Sequence, residues 1–428
     1  MFPSTPTKEK KPVAQSSQGW SHHRHPAVEQ KIQHLVDELC GHIKQYFRPR
    51  QYLSIAITGG YGRGEGGMRY EKGQASPNNN LDLIWVVPNG QDLQPLQQLF
   101  RTKVAQPLAQ KFGMDIDGYF IHEKHIQRLP CLVMLYDIKA GHRVILGDPH
   151  YLKQHIHYES HDILPSDMRN LMVNRATLLL LNIWLLQQFQ RQHPEQTTLP
   201  DALQQKIFKH TMKAIIGYGD ALLFAQGAYH WSYAVKEQTM GVQVNLPVVL
   251  RQGYSQAIQY RFDPRDFQPE TLGLQGQDPE QFKQWQYTLL AFFAPWHLYF
   301  ENWRLQTRLT HWDTYVETHL CHSIMAENSY RGVPLRKLKH FLRNQLPTDH
   351  LSWKASLGLK MSEPANALST LFPLIAYHAP LPAFVYDQLM ISPHATQAEV
   401  LQRYLQCWGS YLDPSLLNKM RQWEEKLI

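Results

Sequence analysis

A glycine-rich stretch between two short apolar runs constrains the fold of this chain more than any other part of its sequence. The runs cover residues 54–58 and 81–87, and their β-branched and aromatic residues favour strands. Residues 59–67, GGYGRGEGG, directly follow the first run. Glycine has no Cβ and tolerates positive φ, so the backbone N–H groups of such a turn can approach a phosphate closely. The sequence predicts two strands joined through a phosphate-binding turn.

The second strand carries a carboxylate back towards this turn. Asp82 stands near its start, within the segment NNNLDLIWVV. Carboxylates bind Mg²⁺, the ion that accompanies nucleoside triphosphates. A glycine turn beside Asp82 therefore indicates a site for a nucleoside triphosphate.

Other glycine motifs fit the sequence less well. Residues 62–67 match G-x-G-x-x-G, but a dinucleotide-binding turn should open directly into a helix. The residues that follow, MRYEKGQASPNNN, include proline, glycine and three asparagines and have no apolar helical stripe. The sequence also lacks the GxxxxGKS or GxxxxGKT string of P-loop proteins and the VAIK and HRD strings of protein kinases. These three classes of site are therefore disfavoured.

Composition limits the class of protein and its surroundings. The 428 residues, 43% of them hydrophobic, are enough for two or three domains with buried cores. A net charge of +7 allows an anionic partner, such as a nucleotide or a nucleic acid, without requiring one. Four widely spaced cysteines, at 40, 131, 321 and 407, match neither a disulfide framework nor a zinc site. Without a leader-like segment or an apolar run that could span a bilayer, the sequence predicts a soluble, cytoplasmic protein with no membrane partner.

Apolar periodicity divides the chain into three parts and predicts an α+β fold. Residues 1–26 are polar and are interpreted as a disordered tail. Residues 27–162 mix helical and strand patterns, which predicts a small mixed-sheet domain. Residues 163–428 carry leucine-rich helical patterns and predict a mostly α-helical C-terminal region.

The individual elements follow from the same patterns. Helices are predicted at 28–47, 93–112, 167–191, 203–226, 278–310, 312–327, 334–345, 364–378 and 396–426. Strands are predicted at 54–58, 81–87, 114–121, 132–138 and 143–146, the last two as a hairpin-like pair. Proline and glycine clusters at 246–276 and 346–363 are interpreted as connectors.

The string at 59–65 and the strand NLDLIWVV at 80–87 together resemble the nucleotidyltransferase superfamily of DNA polymerase β. The motifs are most similar to those of bacterial protein uridylyl- and adenylyltransferases and aminoglycoside nucleotidyltransferases. The resemblance implies Mg²⁺- or Mn²⁺-dependent transfer of a nucleoside monophosphate from a nucleoside triphosphate, such as ATP. The acceptor would be a protein, a small molecule or a nucleic acid, and the helical region would supply specificity for it.

The resemblance also implies roles for individual residues. Gly59 and Gly60 would bind the triphosphate through their backbone, and Arg63 would neutralise phosphate charge. Asp82 would be catalytic and a metal ligand, with Asn80 as a second ligand on the same side of the strand.

Further contacts are expected from later segments. In MDIDGYFI, Asp117 and then Asp115 are candidates for a metal-binding or catalytic carboxylate, because both lie on one face of a strand. Alternatively, both lie at the solvated start of an edge strand. In the helical region, Lys213 would contact the nucleotide, or it lies on a solvated face or in an ion pair between helices.

Asn80 departs from the Asp-x-Asp pattern of the superfamily. Its carbonyl can bind a metal but carries no charge, which weakens a Mg²⁺ site. Three explanations stay open: Asn80 is a neutral ligand, Glu65 or another acid compensates, or the domain has lost catalysis. In the last case the protein would be a nucleotide-binding sensor or scaffold of the same fold.

Overall fold

The computed structural model describes residues 19–71, 73–126, 128–312, 314–319, 364–377, 381–412, 417, 418 and 420. Its fold is α+β, with a small mixed sheet and a helical C-terminal region. Two compact units divide the chain. The N-terminal unit contains Met1–Arg128 and Ile138–His155, and the C-terminal unit contains Leu129–Asp137 and Ile156–Ile428. The sequence predicted one boundary, after residue 162. In the structure, residues 129–137 belong to the C-terminal unit although they precede the last part of the N-terminal unit.

A four-stranded mixed sheet forms the centre of the N-terminal unit. Its strands, in spatial order, are β5 (Ile116–His122), β4 (Leu81–Val87), β1 (Ser54–Ile57) and β6 (Arg143–Gly147). β4 and β5 are parallel, whereas β1 is antiparallel to both of its neighbours. A separate hairpin of β2 (Met68–Glu71) and β3 (Gln74–Pro77) fills the polar segment between β1 and β4.

Helices cover one face of this sheet. Helix α1 (Pro26–Tyr46) confirms the predicted helix at 28–47 and buries its apolar stripe: Val28, Ile32, Leu35, Val36, Leu39 and Ile43. The predicted helix at 93–112 consists of α3 (Leu93–Phe100), a π-helical turn (Arg101–Ala105) and α4 (Gln106–Phe112). Between the helices and the sheet, the Trp85 ring stacks on Phe120 with 4.8 Å between ring centroids. Because strand side chains alternate, Asp82 projects from the opposite face.

The last residues of the predicted disordered tail are packed, while residues 1–18 lie outside the described part of the chain. Trp20 is buried, and its carbonyl accepts a hydrogen bond from Gly66 N–H at 3.1 Å. The Glu29 carboxylate accepts from the backbone N–H groups of Trp20, at 2.6 Å, and Ser21, at 2.8 Å. Residues 19–22 therefore form a short segment that lies along the end of the glycine turn.

Long helices form the C-terminal unit. Helices α8 (Pro165–Gln192), α9 (Asp201–Ala225) and α12 (Pro279–Leu305) confirm three of the predicted helices and pack on one another. The shorter helices are α5 (Glu123–Ile126) and α7 (Tyr151–His155) in the N-terminal unit, α6 (Val133–Ala140) across the division, and α10 (Tyr233–Gly241), α11 (Val248–Phe262), α13 (Pro364–Ala376), α14 (Ala383–Leu389) and α15 (Gln397–Leu412) in the C-terminal unit. Within the ranges that the structure describes, no helix has the length and apolar character needed to cross a bilayer.

Two sequence predictions are wrong, and two others cannot be compared with the structure. The predicted strand at 132–138 is helix α6, whose first N–H, on Val133, donates to the Asp167 carboxylate at 2.8 Å. The predicted connector at 246–276 contains helix α11, which begins directly after Pro247 because proline is tolerated at a helix start. The predicted helix at 334–345 and the connector at 346–363 lie outside the described residues.

A buried carboxylate, Asp220, joins four helices of the C-terminal unit. It lies 3.0 Å from Arg175 Nη1 and 2.9 Å from Lys236 Nζ, and it accepts a hydrogen bond from the Tyr254 hydroxyl at 2.7 Å. The neighbouring Gly219 permits this arrangement, because a Cβ there would lie 2.0 Å from the Tyr254 ring. In the segment GYGDALLF, this packing requires the glycine at 219 and the aspartate at 220.

Replacing Asp220 with asparagine would leave the buried Lys236 ammonium beside a neutral amide. Removal of one partner from a buried ion pair typically costs about 3–5 kcal/mol. We expect D220N to lower the free energy of unfolding by about this amount, measured by urea titration with circular dichroism. As a control, E280Q removes the partner of Lys283 on α12, a surface pair whose carboxylate is 63% exposed and whose type is worth about 0–1 kcal/mol. Equal losses in the two variants would contradict the central role of Asp220.

Candidate functional site

The glycine turn is a short helical turn, α2 (Gly59–Gly62), that follows β1 directly. Gly59 has φ +63°, and a Cβ at this position would lie 2.5 Å from the Asp82 Oδ2 atom. Thr58 holds the two segments together, since its N–H donates to the Asp82 carbonyl at 2.8 Å. The Asp82 carboxylate thus packs directly against the backbone of the turn, in contact that only glycine at position 59 allows.

The strand register brings two carboxylates and an amide to one place. β4 and β5 are parallel, and their register pairs Asp82 with Asp117, so the two side chains project from the same face. The Asn80 amide donates to Asp117 Oδ2 at 3.3 Å. Asp82 is half-buried and Asp117 is exposed, which leaves the pair open to a ligand. That Asp82 and Asp117 bind a metal ion stays a prediction.

Asp115 lies before the start of β5. Its carbonyl accepts a hydrogen bond from Leu81 N–H at 2.9 Å, and its side chain is exposed. Strand alternation gives it the same face as Asp117, one pair further out. Across the described residues, no group of three or more His, Cys, Asp or Glu side chains has an arrangement suited to a metal ion. Asp82 and Asp117 are therefore a carboxylate pair, with Asn80 as the adjacent neutral oxygen donor.

Arg63 and Glu65 form an ion pair inside the turn. Arg63 Nε lies 3.4 Å from Glu65 Oε2, and the side chains are only 7% and 8% exposed. Their backbones close the same turn, because Arg63 N–H donates to Gly59 O and Glu65 N–H to Gly60 O. Because its side chain is buried in this ion pair, Arg63 stabilises the turn and is poorly placed to contact a ligand. The Glu65 carboxylate likewise faces Arg63.

Two glycines of the string serve packing. A Cβ on Gly62 would lie 2.4 Å from the Ile57 carbonyl oxygen, and one on Gly66 would lie 2.2 Å from the Tyr61 ring. Gly60 is less crowded, with its nearest neighbour, the Glu65 carbonyl oxygen, 3.3 Å from such a Cβ. Of the first two glycines, Gly59 is half-buried and Gly60 is buried, so the backbone of Gly59 is the more accessible to a ligand.

Sequence reasoning missed the role of Asn79. Its Oδ1 atom accepts from Gly67 N–H at 2.6 Å, and its own N–H donates to the Tyr61 hydroxyl at 3.3 Å. The residue thereby joins the end of the glycine turn to the segment that leads into β4. The run of three asparagines before the strand was the available signal, because asparagine side chains often bond to nearby backbone in turns.

In the C-terminal unit, Lys213 lies on α9 among other cations. Its side chain is exposed, as the predicted alternative of a solvated face requires, although desolvation by the surrounding protein and the charges of Lys209, Arg261 and Arg175 lower its pKa from 10.5 to about 8. The Arg261 guanidinium lies 4.5 Å from the centre of the Tyr233 ring, whose hydroxyl accepts from Arg175 at 3.4 Å. The predicted alternative of an ion pair finds no carboxylate within 4.0 Å of Lys213 among the described residues. The surroundings of Lys213 favour an anion.

Comparison with known proteins gives no match: no protein-family model, no curated protein and no solved structure matches this chain. The chemistry available at the site follows from its own residues. The turn offers backbone donors at Gly59 and Gly60, and the strands offer the oxygens of Asp82, Asp117 and Asn80. Hydrogen-bond donors suited to an anion thus lie next to oxygen atoms suited to a divalent cation. A polyphosphate with bound Mg²⁺ contains an anion and a divalent cation side by side.

The contact between Gly59 and Asp82 makes the turn sensitive to a single methyl group. Alanine in the left-handed conformation costs about 1–2 kcal/mol, and G59A also overlaps the Asp82 carboxylate, an overpacking worth about 1–3 kcal/mol. The matched control is G113A, since Gly113 has φ +64° and nothing within 4 Å of an added Cβ. We expect G59A to lose more unfolding free energy than G113A, by about 1 kcal/mol or more in urea. Equal losses would show that Asp82 does not press on the turn.

The lowered pKa of Lys213 predicts a pH-dependent stability. The unfolded chain holds this proton up to about the ordinary pKa of 10.5, whereas the folded protein releases it near 8. The unfolded state therefore binds more protons between these values, and wild type gains stability there as the pH rises. We expect K213Q to be more stable than wild type at pH 7 and to lose that advantage by pH 10.5. A pH-independent difference in urea titrations would contradict the assignment.

Proposed function

We propose that the N-terminal unit transfers a nucleoside monophosphate from a nucleoside triphosphate to a hydroxyl-bearing acceptor. The observation that carries this proposal is the Asp82 carboxylate packed against the Gly59 backbone, with Asp117 beside it in register. The proposed phosphate-binding turn thus lies next to the two proposed metal-binding carboxylates. The proposal extends to ATP as one of the candidate nucleotides.

Gly59 and Gly60 are the proposed phosphate-binding residues. With no side chain at either position, a phosphate oxygen can approach their backbone N–H groups. Lys213 remains a proposed nucleotide contact, supported by the positive charges of Lys209, Arg261 and Arg175 around it. We assign Arg63 the task of shaping the turn through its ion pair with Glu65.

Asp82, Asp117 and Asn80 are the proposed ligands of Mg²⁺ or Mn²⁺. Mg²⁺ is commonly bound through one or two carboxylates, water and the phosphates of the substrate, so this donor set fits it. When bound there, the ion would neutralise charge on the phosphates and on the leaving oxygen. Asn80 adds a feature of its own, because its amide already holds Asp117 at 3.3 Å, where a third carboxylate would repel it.

The proposed transfer is a displacement at the α-phosphorus of the nucleotide. The acceptor oxygen forms a bond to the α-phosphorus, and the bond from that phosphorus to the bridging oxygen breaks. Pyrophosphate leaves with the electron pair. The acceptor proton passes to the Asp117 carboxylate, which is exposed and can release it to solvent.

A second candidate function is a nucleotide-binding sensor or scaffold without catalysis. Asn80 favours it, since a neutral amide binds Mg²⁺ less strongly than a carboxylate. Both candidates place the nucleotide at the same turn. We further propose a cytoplasmic location, supported by the thiols of Cys40 and Cys407, which form no disulfide among the described residues.

Labelled transfer tests the proposal. The purified protein is incubated with Mg²⁺, cell lysate and each of the four α-³²P-labelled nucleoside triphosphates. We expect label on an acceptor with wild type and a loss of about 100-fold or more with D82A, since removing one group that stabilises reacting charge typically costs about 10²–10³ in rate. The control D266A removes an exposed carboxylate in the C-terminal unit and should keep full activity. Transfer that survives D82A would overturn the role of Asp82.

The variant N80D separates the two candidates in the same assay. If Asn80 serves the reaction by orienting Asp117, N80D loses this hydrogen bond and activity falls or stays level. A gain of activity would instead identify a site that had lost catalysis. Calorimetry with Mg·ATP measures nucleotide binding alone. Because both candidate functions require this binding, its absence would contradict both.

A further inference from the structure

Strand β5 leaves one edge of the sheet open beside the carboxylate pair. In its parallel pairing with β4, Leu81 N–H donates to Asp115 O at 2.9 Å, and Leu81 stands opposite Ile116. In a parallel pair, successive residues alternate between bonding inward and pointing outward. The backbone N–H and C=O groups of Ile116 and Gly118 therefore point away from the sheet. Among the described residues, none donates to or accepts from these groups.

A groove with a volume of about 670 Å³ runs along this edge. Its strand side consists of residues 116–118 and Phe120, and its helix side combines the polar Gln94, Gln97, Gln98 and Arg101 with the apolar Phe100 and Ala105. Gly118 keeps the strand close to the helices, because a Cβ there would lie 2.7 Å from the Phe100 ring. The groove thus has a backbone edge on one side, and on the other side-chain amides and a guanidinium beside the apolar Phe100 and Ala105.

We propose that the open edge of β5 binds an extended polypeptide segment as an additional strand, and that a hydroxyl side chain of this segment is the acceptor. Strand addition supplies main-chain hydrogen bonds for affinity and alternate side-chain pockets for specificity. One set of side chains would enter the groove of Gln94, Gln98 and Arg101. The alternate set would lie on the face that carries Asp117 and Tyr119.

The chemistry of the edge selects a polypeptide over other acceptors. The outward groups of Ile116 and Gly118 offer a donor and an acceptor at the strand repeat, which a peptide backbone matches and a small sugar does not. A nucleic acid would bring its phosphates next to the exposed carboxylates of Asp115 and Asp117, which repel them. Tyr119, with 48% of its surface exposed, offers an apolar contact next to Asp117.

The transfer step of this inference rests on the proposed function, whereas peptide binding does not. A serine, threonine or tyrosine oxygen of the bound segment would form the bond to the α-phosphorus. The bond to the pyrophosphate oxygen would break, pyrophosphate would leave with the electron pair, and the hydroxyl proton would pass to Asp117. The two parts can be measured separately, since peptide binding needs no nucleotide.

The experiment selects random 12-residue peptides displayed on phage against the full-length protein, without nucleotide. We expect a shared sequence pattern that contains a hydroxyl residue, and micromolar binding of the corresponding synthetic peptide. N-methylation of its backbone amides one at a time should weaken binding about tenfold at every second position, because only alternate N–H groups face β5. R101Q should weaken binding or change the selected pattern. The control K103Q alters an exposed lysine of the same π-helical turn outside the groove and should leave binding unchanged.

Several results would overturn this inference. These are the absence of enriched peptides, an N-methyl scan without a period of two, or equal effects of R101Q and K103Q. Calorimetry with Mg·ATP separately tests nucleotide binding, which the proposed function requires. Peptide binding without nucleotide binding would leave strand addition standing and remove the transfer, and the opposite pair of results would remove only strand addition.

Discussion

The contact between the Asp82 carboxylate and the backbone of Gly59 determines the polar face of the N-terminal unit. A Cβ at position 59 would lie 2.5 Å from the carboxylate, so turn and strand occupy space that a larger residue would need. The bond from Thr58 N–H to the Asp82 carbonyl fixes the same two segments from the backbone. β1 and β4 are adjacent central strands, so the hydrogen bonds of the sheet hold the backbone that carries this carboxylate. Asp117 takes its place through the register of β5 against β4.

The glycine string divides its work among its members. Gly62 and Gly66 make room for the Ile57 carbonyl and the Tyr61 ring, so they are needed for packing. The Arg63–Glu65 pair is enclosed within the turn. Gly59, which is half-buried, and Gly60 are the proposed phosphate-binding positions. A string that looks uniform in sequence therefore contains glycines needed for packing next to glycines with a proposed binding role.

Much of the N-terminal fold was predictable because its signals are local. The stripe of α1 and the β-rich runs of β1 and β4 bury their apolar residues as their spacing indicates. Within a strand, alternation also predicted that Asn80 and Asp82 share a face. Parallel pairing of β4 with β5 could not be predicted in this way, because it depends on the path of the chain between them. The meeting of Asp82 with Asp117 is therefore a result of tertiary structure.

The errors have the same origin. The seven residues 132–138 fit a buried strand and a buried helix equally well by their pattern, and the first N–H of α6, on Val133, bonds to Asp167, which lies far along the chain. Asp220 likewise takes its partners Arg175 and Tyr254 from separate helices. Sequence reasoning placed Lys213 on a helix correctly, but the cations around it come from α8 and α11 as well as from its own helix. Such groupings have no local signature.

The arrangement of the sheet has a consequence for synthesis of the chain. β1 is made early, yet its second neighbour, β6, ends at Gly147, and Arg143 there also bonds to the carbonyl of Gly19. Contacts between such distant positions slow folding, because the intervening chain must be ordered first. Until Gly147 has left the ribosome, one edge of β1 lacks its partner and can pair with another chain. The sheet of the N-terminal unit can therefore be completed only after β6 has been made.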